Sequence, residues 1–404
     1  MQNMLHKTLT HALTGMALVS LTVCAHAQKK YDTGASDTEI KVGNIVPYSG
    51  PASSYGAIGK AMTVYFEKIN KEGGVNGRKI KFISLDDGYN PAKTVEQTRK
   101  LVEQEGVLLL LSPLGSAQNS AIQKYVQQKK IPHLFVASGA AKWSDPKNSP
   151  WSIGWNPSYP VEASIYAKHI LETKPNAKIA VLYQNDDFGK DYLKGFRSGL
   201  GNKVKDMIVS EASYEVTDPT MDNQIVSLKA SGADTLVYFT SPKFSAQAIK
   251  KTGDIGWKPT QYLANVSIQI DSVIKPAGTD YAKGIYSVAY LKDTSDPQWQ
   301  KTKEYNDWAT WMKEYNPSAD MAENHNVYGY SQAQLLVHVL KKAGDNLTRE
   351  NIMKQAANLD TTLPMLLPGI KLKTTPDDYA LIKRLQLIQF NGTVWNLTDK
   401  TYGQ

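Results

Sequence analysis

The chain has 404 residues, 41% of them hydrophobic and 21% charged, and a formal charge of +8. Such a length exceeds one small core and points to two domains, and the apolar content excludes a disordered chain. Lys and Arg are scattered without a basic run, so no nucleic acid is expected as partner.

Residues 1–27 read as a signal peptide: Lys7 supplies the positive charge, 12–23 a short apolar stretch, and Ala25-His26-Ala27 the small-x-small pattern that signal peptidase cuts. A buried N-terminal helix is the competing reading. Cleavage after Ala27 would make the protein periplasmic and remove the sole cysteine, Cys24. Val23 stands where a lipoprotein signal wants a small residue, which favours a free protein over a lipid-anchored one. A mature chain of this length needs no disulfide.

From there strand and helix patterns alternate. Residues 39–46 alternate like a strand, 53–71 have helical spacing, 79–85 are strand-like, and 91–105 are helical with Pro91 at the start. An apolar run at 107–111 predicts a buried strand, followed by a helix over 116–129 and a strand over 132–137. Residues 142–160, rich in Pro, Ser, Asn and Trp, suggest a crossing between lobes. A second set follows: helices over 160–172, 188–200, 221–230 and 243–252, and strands over 178–184, 206–211, 234–240 and 260–264. This is an α/β pattern of parallel sheets covered by helices. A strand over 285–290 then leads into helices over 297–315, 326–343 and 348–358, which have no sheet of their own and are expected to cover the first lobe. The last strand, 384–390, would cross back.

Ligands of parallel sheets collect at the carboxyl ends of the strands. The loops there are rich in Ser, Asn, Gly and aromatics. Ser116 is the leading candidate, because its hydroxyl and the free N–H groups of a helix start can hold a carboxylate; the plain alternative is an N-cap. Gly115 would let a ligand approach the backbone. Ala137, Ser138 and Gly139 offer similar small-residue chemistry at the next strand end. The heptapeptides 112–118 and 241–247 share five of seven residues, which makes Ser245 the counterpart of Ser116 in a second, similarly built lobe. Tyr55 and Phe188 either clamp an apolar ligand body from two sides or are core aromatics. Asp186 and Asp187 could neutralise an amine or simply face solvent.

Catalytic patterns are missing from the sequence. It holds no H-E-x-x-H, G-x-S-x-G or C-x-x-C, and Gly56-Ala57-Ile58-Gly59-Lys60-Ala61 has the wrong spacing for a phosphate-binding loop. His133 is the only histidine near a candidate loop, and His338 reads as structural.

Several segments carry a family resemblance: Pro47-Tyr48-Ser49-Gly50-Pro51-Ala52 with Tyr55-Gly56, then Asn70-Lys71-Glu72-Gly73-Gly74-Val75-Asn76-Gly77, Asp86-Asp87-Gly88-Tyr89-Asn90-Pro91, Ser112-Pro113-Leu114-Gly115-Ser116 and Asn185-Asp186-Asp187-Phe188-Gly189. Over nearly the whole mature chain this resembles the branched-chain amino acid (leucine/isoleucine/valine-type) binding proteins of ABC importers. The resemblance implies a type I periplasmic binding fold, two doubly wound α/β lobes joined by three crossing strands. It implies a first lobe of 37–155 plus 286–384 and a second of 156–285 plus 385–404. It further implies a non-enzymatic monomer without cofactor that passes a small molecule to an inner-membrane ABC permease.

In that family the Ser after Leu-Gly binds the ligand carboxylate, which falls on Ser116. The next strand-end loop does likewise, at Ala137, Ser138 and Gly139, and Tyr55 lines the side-chain pocket. Two departures stand out. Phe188 replaces a usual Tyr, and Asn265 stands where amino-acid binders keep an acid for the ligand ammonium. A buried ammonium without a carboxylate is unfavourable. The expected ligand is therefore an aromatic or branched aliphatic carboxylate, with a hydrophobic amino acid as the alternative. A periplasmic sensory module would share the fold.

Overall fold

Five parallel strands form the sheet of the first lobe: β1 (Glu39–Val46), β2 (Lys79–Asp86), β3 (Leu109–Leu111), β4 (His133–Val136) and β5 (Ser152–Gly154). They lie in the order β2-β1-β3-β4-β5. The computed structural model describes residues 29–403; the expected signal peptide, its cleavage point and Cys24 lie outside the described residues. Strand β3 is apolar throughout and fully buried, as a central strand covered on both faces must be. Helix α1 (Gly56–Lys71) buries Ile58, Met62, Phe66 and Ile69 along one stripe. Helix α2 (Pro91–Arg99) begins with Pro at its first position, and Asn90 accepts from the Ala92 and Lys93 N–H groups. It continues as a wider π turn over Lys100–Gln104, where a single helix was expected. Helix α3 (Ser116–Gln128) follows β3.

After β5 the chain enters the second lobe through α4 (Tyr159–Thr173), β6 (Ile179–Gln184), α5 (Asp187–Leu200), β7 (Ile208–Tyr214), α6 (Asp222–Ala230), β8 (Thr235–Phe239), α7 (Pro242–Asp254), β9 (Thr260–Leu263) and β10 (Tyr286–Ala289). The strand expected over 206–211 starts later, because Val204–Met207 makes a helical turn first. Strand β10 pairs in parallel with β9. The strand that the 286–384 division assigned to the first lobe is therefore part of the second sheet, and the chain crosses back only after Ala289.

Helices α8 (Lys303–Tyr315), α9 (His325–Ala343) and α10 (Arg349–Ala356) follow. The expected helix over 297–315 is broken because the Thr302 side chain accepts from the Tyr305 N–H and starts α8 anew. Helix α9 lies directly on α1: a Cβ on Gly329 would come within 2.4 Å of the Ile58 carbonyl. The helical block thus covers the first lobe, as the sequence suggested. The third crossing leads to β11 (Arg384–Phe390) and β12 (Trp395–Gly403), which add antiparallel strands to the second sheet. Its order is β12-β11-β10-β9-β8-β6-β7. Strands β7-β6-β8-β9-β10 repeat the winding of β2-β1-β3-β4-β5, so the lobes are built alike. Each changes direction beside its first strand, where a crevice opens at the strand ends. Among the described residues no helix is long and apolar enough to cross a membrane.

Candidate functional site

The two crevices face one cavity, with about 990 Å³ of space between protein atoms, part of it open to solvent. Tyr55, Tyr89, Gly115, Ser116 and Ala137 line it from the first lobe, and Tyr159, Phe188, Ser241 and Asn265 from the second. The segment after β10 contributes Tyr290, Asp293 and Trp299, the start of β12 contributes Trp395, and the start of α9 contributes Asn324 and His325. Most of the wall is apolar or aromatic, and among the described residues it includes no Lys or Arg.

The turn between β3 and α3 is shaped from below. The Asn44 amide donates to the Leu111 and Ser112 carbonyls at 2.9 and 3.1 Å, and the Asn119 amide to those of Pro113 and Gly115 at 2.9 and 2.6 Å. His133 Nε2 meets Asn119 Oδ1 at 2.7 Å and its Nδ1 meets Ser152 Oγ at 3.0 Å. Burial pushes this imidazole down to about 3, so it is neutral. His133 therefore braces the loop and does not line the cavity; the histidine on the wall is His325, whose ring lies 5.0 Å from that of Tyr55.

Gly115, at φ 103° and ψ 142°, takes the N-cap position of α3, and Ser116 is the first helical residue. The N-cap alternative for Ser116 is thus set aside. Its hydroxyl instead pairs with that of Ser138 at 2.7 Å, beside the free N–H groups of the first turn. Ser138 and Gly139 are placed behind the wall rather than on it. Ser138 Oγ also accepts from Trp143 Nε1 at 3.1 Å. Gly139 lets Tyr159 approach, since a Cβ there would meet the Tyr159 ring at 2.6 Å. Burial pushes the Tyr159 phenol up, opposed by hydrogen bonding toward the Gly139 N–H, Ser138 and Ser116. Ser116, Ser138 and Tyr159 thus form one cluster of hydroxyls at the start of α3.

In the second lobe the matching turn differs. Pro242 opens α7 with Ser241 at the N-cap position, so Ser245 lies a turn inside the helix. Its hydroxyl meets Thr240 Oγ1 at 2.5 Å, and Ser241 takes the place on the wall expected of Ser245. Pro at the first helical position was the available signal. Phe188 lies on the wall with its ring 5.2 Å from Tyr159, edge to face. Neither acid beside it lines the cavity. Asp186 caps α5 by accepting from the Phe188 and Gly189 N–H groups. Asp187 reaches the other lobe, at 2.6 Å from Ser120 Oγ and 3.1 Å from Lys142 Nζ.

Asn265 is on the wall, with Nδ2 donating to the Val288 carbonyl at 2.6 Å. Behind it stands an acid that the sequence reading missed. Glu162 Oε1 accepts from the Asn265 N–H at 2.7 Å and from the Tyr166 hydroxyl at 2.7 Å. Burial pushes its carboxyl up to about 7. Glu162 is 2% exposed and does not line the cavity.

The family model described as "periplasmic binding protein" matches residues 39–393. A "Leu/Ile/Val-binding protein homolog 1" of Brucella abortus is 23% identical over 340 residues, 82% of this chain and 86% of that protein. Among solved structures, a branched-chain amino acid ABC transporter protein from Thermus thermophilus with bound valine superposes with a TM-score of 0.81 at 17% identity, covering 92% of this chain and 98% of the other. A fatty acid ABC transporter substrate-binding protein from Thermomonospora curvata gives 0.76 at 20% identity, covering 93% and 95%.

Proposed function

Because the chain belongs to the periplasmic binding protein family, we propose that it is the solute receptor of an ABC importer and that its ligand is a small organic carboxylate without an α-ammonium group. Residues 1–27 would direct export and be removed after Ala27, and the mature monomer would deliver its ligand to an inner-membrane permease. The similar folds include one protein holding valine and one named for fatty acids, so the cavity itself has to choose between these ligand types.

One observation carries the choice: the polar cluster at the start of α3 offers hydroxyl and N–H donors, and no acid stands within it. A carboxylate gains charge-assisted hydrogen bonds there. An α-ammonium held beside that cluster would find no acid within it; among the described residues the acid on the cavity wall is Asp293, contributed by the segment after β10. Asp186 and Asp187, which could have supplied a counter-charge, are engaged elsewhere, and Glu162 lies behind the Asn265 backbone. The aromatic wall then packs the ligand body.

Calorimetry on phenylpropionate against phenylalanine tests this reading. The deaminated acid should bind at least about tenfold tighter, and Ser116→Ala should weaken it about ten- to hundredfold, the value of one hydrogen bond to a charged group. Phenylalanine binding tenfold tighter would replace this reading with that of an amino-acid receptor.

A further inference from the structure

Besides the Ser116 cluster, the cavity wall includes two residues with a buried acceptor that no donor reaches among the described residues. Asp293, 9% exposed, lies just past the crossing after β10. Its Oδ1 accepts from the Ser295 N–H at 2.9 Å and the Ser295 hydroxyl at 2.7 Å, with Asn324 Nδ2 at 3.4 Å. No hydrogen-bond partner meets its Oδ2 among the described residues. The segment is pinned by Thr294, whose hydroxyl donates to the Met321 carbonyl at 2.8 Å, so the carboxylate is held in place. Gln269, 4% exposed and contributed by the second lobe, likewise leaves Oε1 without a partner. Both residues line the cavity.

The nearest cation in sequence does not help. Lys292 donates to the Pro364 carbonyl at 2.8 Å and lies 3.6 Å from Glu304. Buried acceptors are normally partnered, and a buried carboxylate oxygen most of all. Two such atoms on one ligand cavity have a ready explanation: the ligand brings the missing donor.

Resting on the carboxylate reading above, we propose that the ligand carries, away from its carboxylate, a hydrogen-bond donor received by Asp293 and Gln269. The ligand class narrows to hydroxy- or amino-substituted carboxylates. An amine would also neutralise Asp293. A hydroxyl would satisfy the acceptors without the charge.

Calorimetry with alkanoates of graded chain length, each compared with its ω-hydroxy and ω-amino derivative, tests the proposal. At a matching length a derivative should bind about ten- to hundredfold tighter than the plain acid. In Asp293→Ala the derivative and the plain acid should bind equally, and binding of the plain acid shows that the variant is folded. A gain confined to the amines and lost in Asp293→Asn identifies an ammonium; equal gains identify a hydroxyl. Should Asp293→Ala not fold, Gln269→Ala carries the same comparison. Plain acids that bind as tightly as their derivatives at every length, or a gain that survives both substitutions, overturn the proposal alone. If no alkanoate or derivative binds and phenylpropionate fails too, the carboxylate reading falls and takes this proposal with it.

Discussion

Replacing Gly115 with alanine is expected to weaken carboxylate binding by more than tenfold and to destabilise the fold by about 1–3 kcal/mol. At φ 103° and ψ 142° the residue occupies backbone space that L side chains rarely adopt. The new Cβ would lie 2.1 Å from Gln118 Oε1 and 3.0 Å from the Tyr89 ring. Gln118 cannot swing aside freely, because its Nε2 holds the Tyr89 carbonyl at 2.8 Å and so fixes the loop that brings Tyr89 to the wall. The turn that positions Ser116 and the loop opposite it would move together. Gly73→Ala is the control. It has a similar φ of 101° but nothing within 4 Å of its Cβ, so it should show backbone strain without loss of binding. Thermal unfolding and calorimetry on both variants separate the two effects. Wild-type affinity in Gly115→Ala would mean that ligand does not sit at this turn.

The pH dependence of stability is the second large effect, and Glu162→Gln exposes it. Burial raises the Glu162 carboxyl from its ordinary 4.5 to about 7, so the folded protein keeps a proton that the unfolded chain has released. The resulting stabilisation is complete below about pH 4.5 and is lost as pH rises to about 7, a change on the order of 3 kcal/mol. Glutamine mimics the protonated form at every pH. The stability of the wild type minus that of Glu162→Gln should therefore fall across this window and then level off. His133 works in the opposite sense, because its neutral form is favoured and its contribution is lost as pH falls from 6.5 toward about 3. It is common to both proteins and drops out of the difference. Denaturant unfolding at a series of pH values measures the curve, and a flat difference would mean that Glu162 is not held as described.

The α/β architecture was legible because apolar or alternating strand patterns take turns with helical spacing, and helices such as α2 and α7 open on Pro. The Ser116 turn was legible for the same reason: a fully apolar strand ending in Ser-Pro-Leu-Gly-Ser left few ways to continue. Ser245 was misplaced because the two heptapeptides were matched letter by letter. Pro242 starts its helix earlier than Ser116 starts the other, and that shift turns Ser245 into the lobe. Tyr89 lay in a quoted motif, but only its left-handed backbone, φ 60°, brings its ring to the wall. Asp293, Trp299, His325 and Trp395 were out of reach, because they come from a crossing, a helix start and the last strand, whose placement depends on how the chain returns between lobes. Hydrophobic periodicity carries no record of that path. Glu162 was hidden for a related reason: one acid on an amphipathic helix looks solvent-facing until β9 and β10 are packed over it.

Five of the eight tryptophans fall into two optical groups. Trp143, Trp155 and Trp308 are fully buried, and their emission should ignore the ligand. Trp299 and Trp395 face the cavity, the latter held by its Nε1 bond to the Ile268 carbonyl at 2.8 Å. A ligand that fills the cavity would change the surroundings of these two indoles, so occupancy should change the protein's own fluorescence. The native chain would then be an unlabelled sensor for its own solute, with Trp299→Phe and Trp395→Phe assigning the signal to one wall or the other.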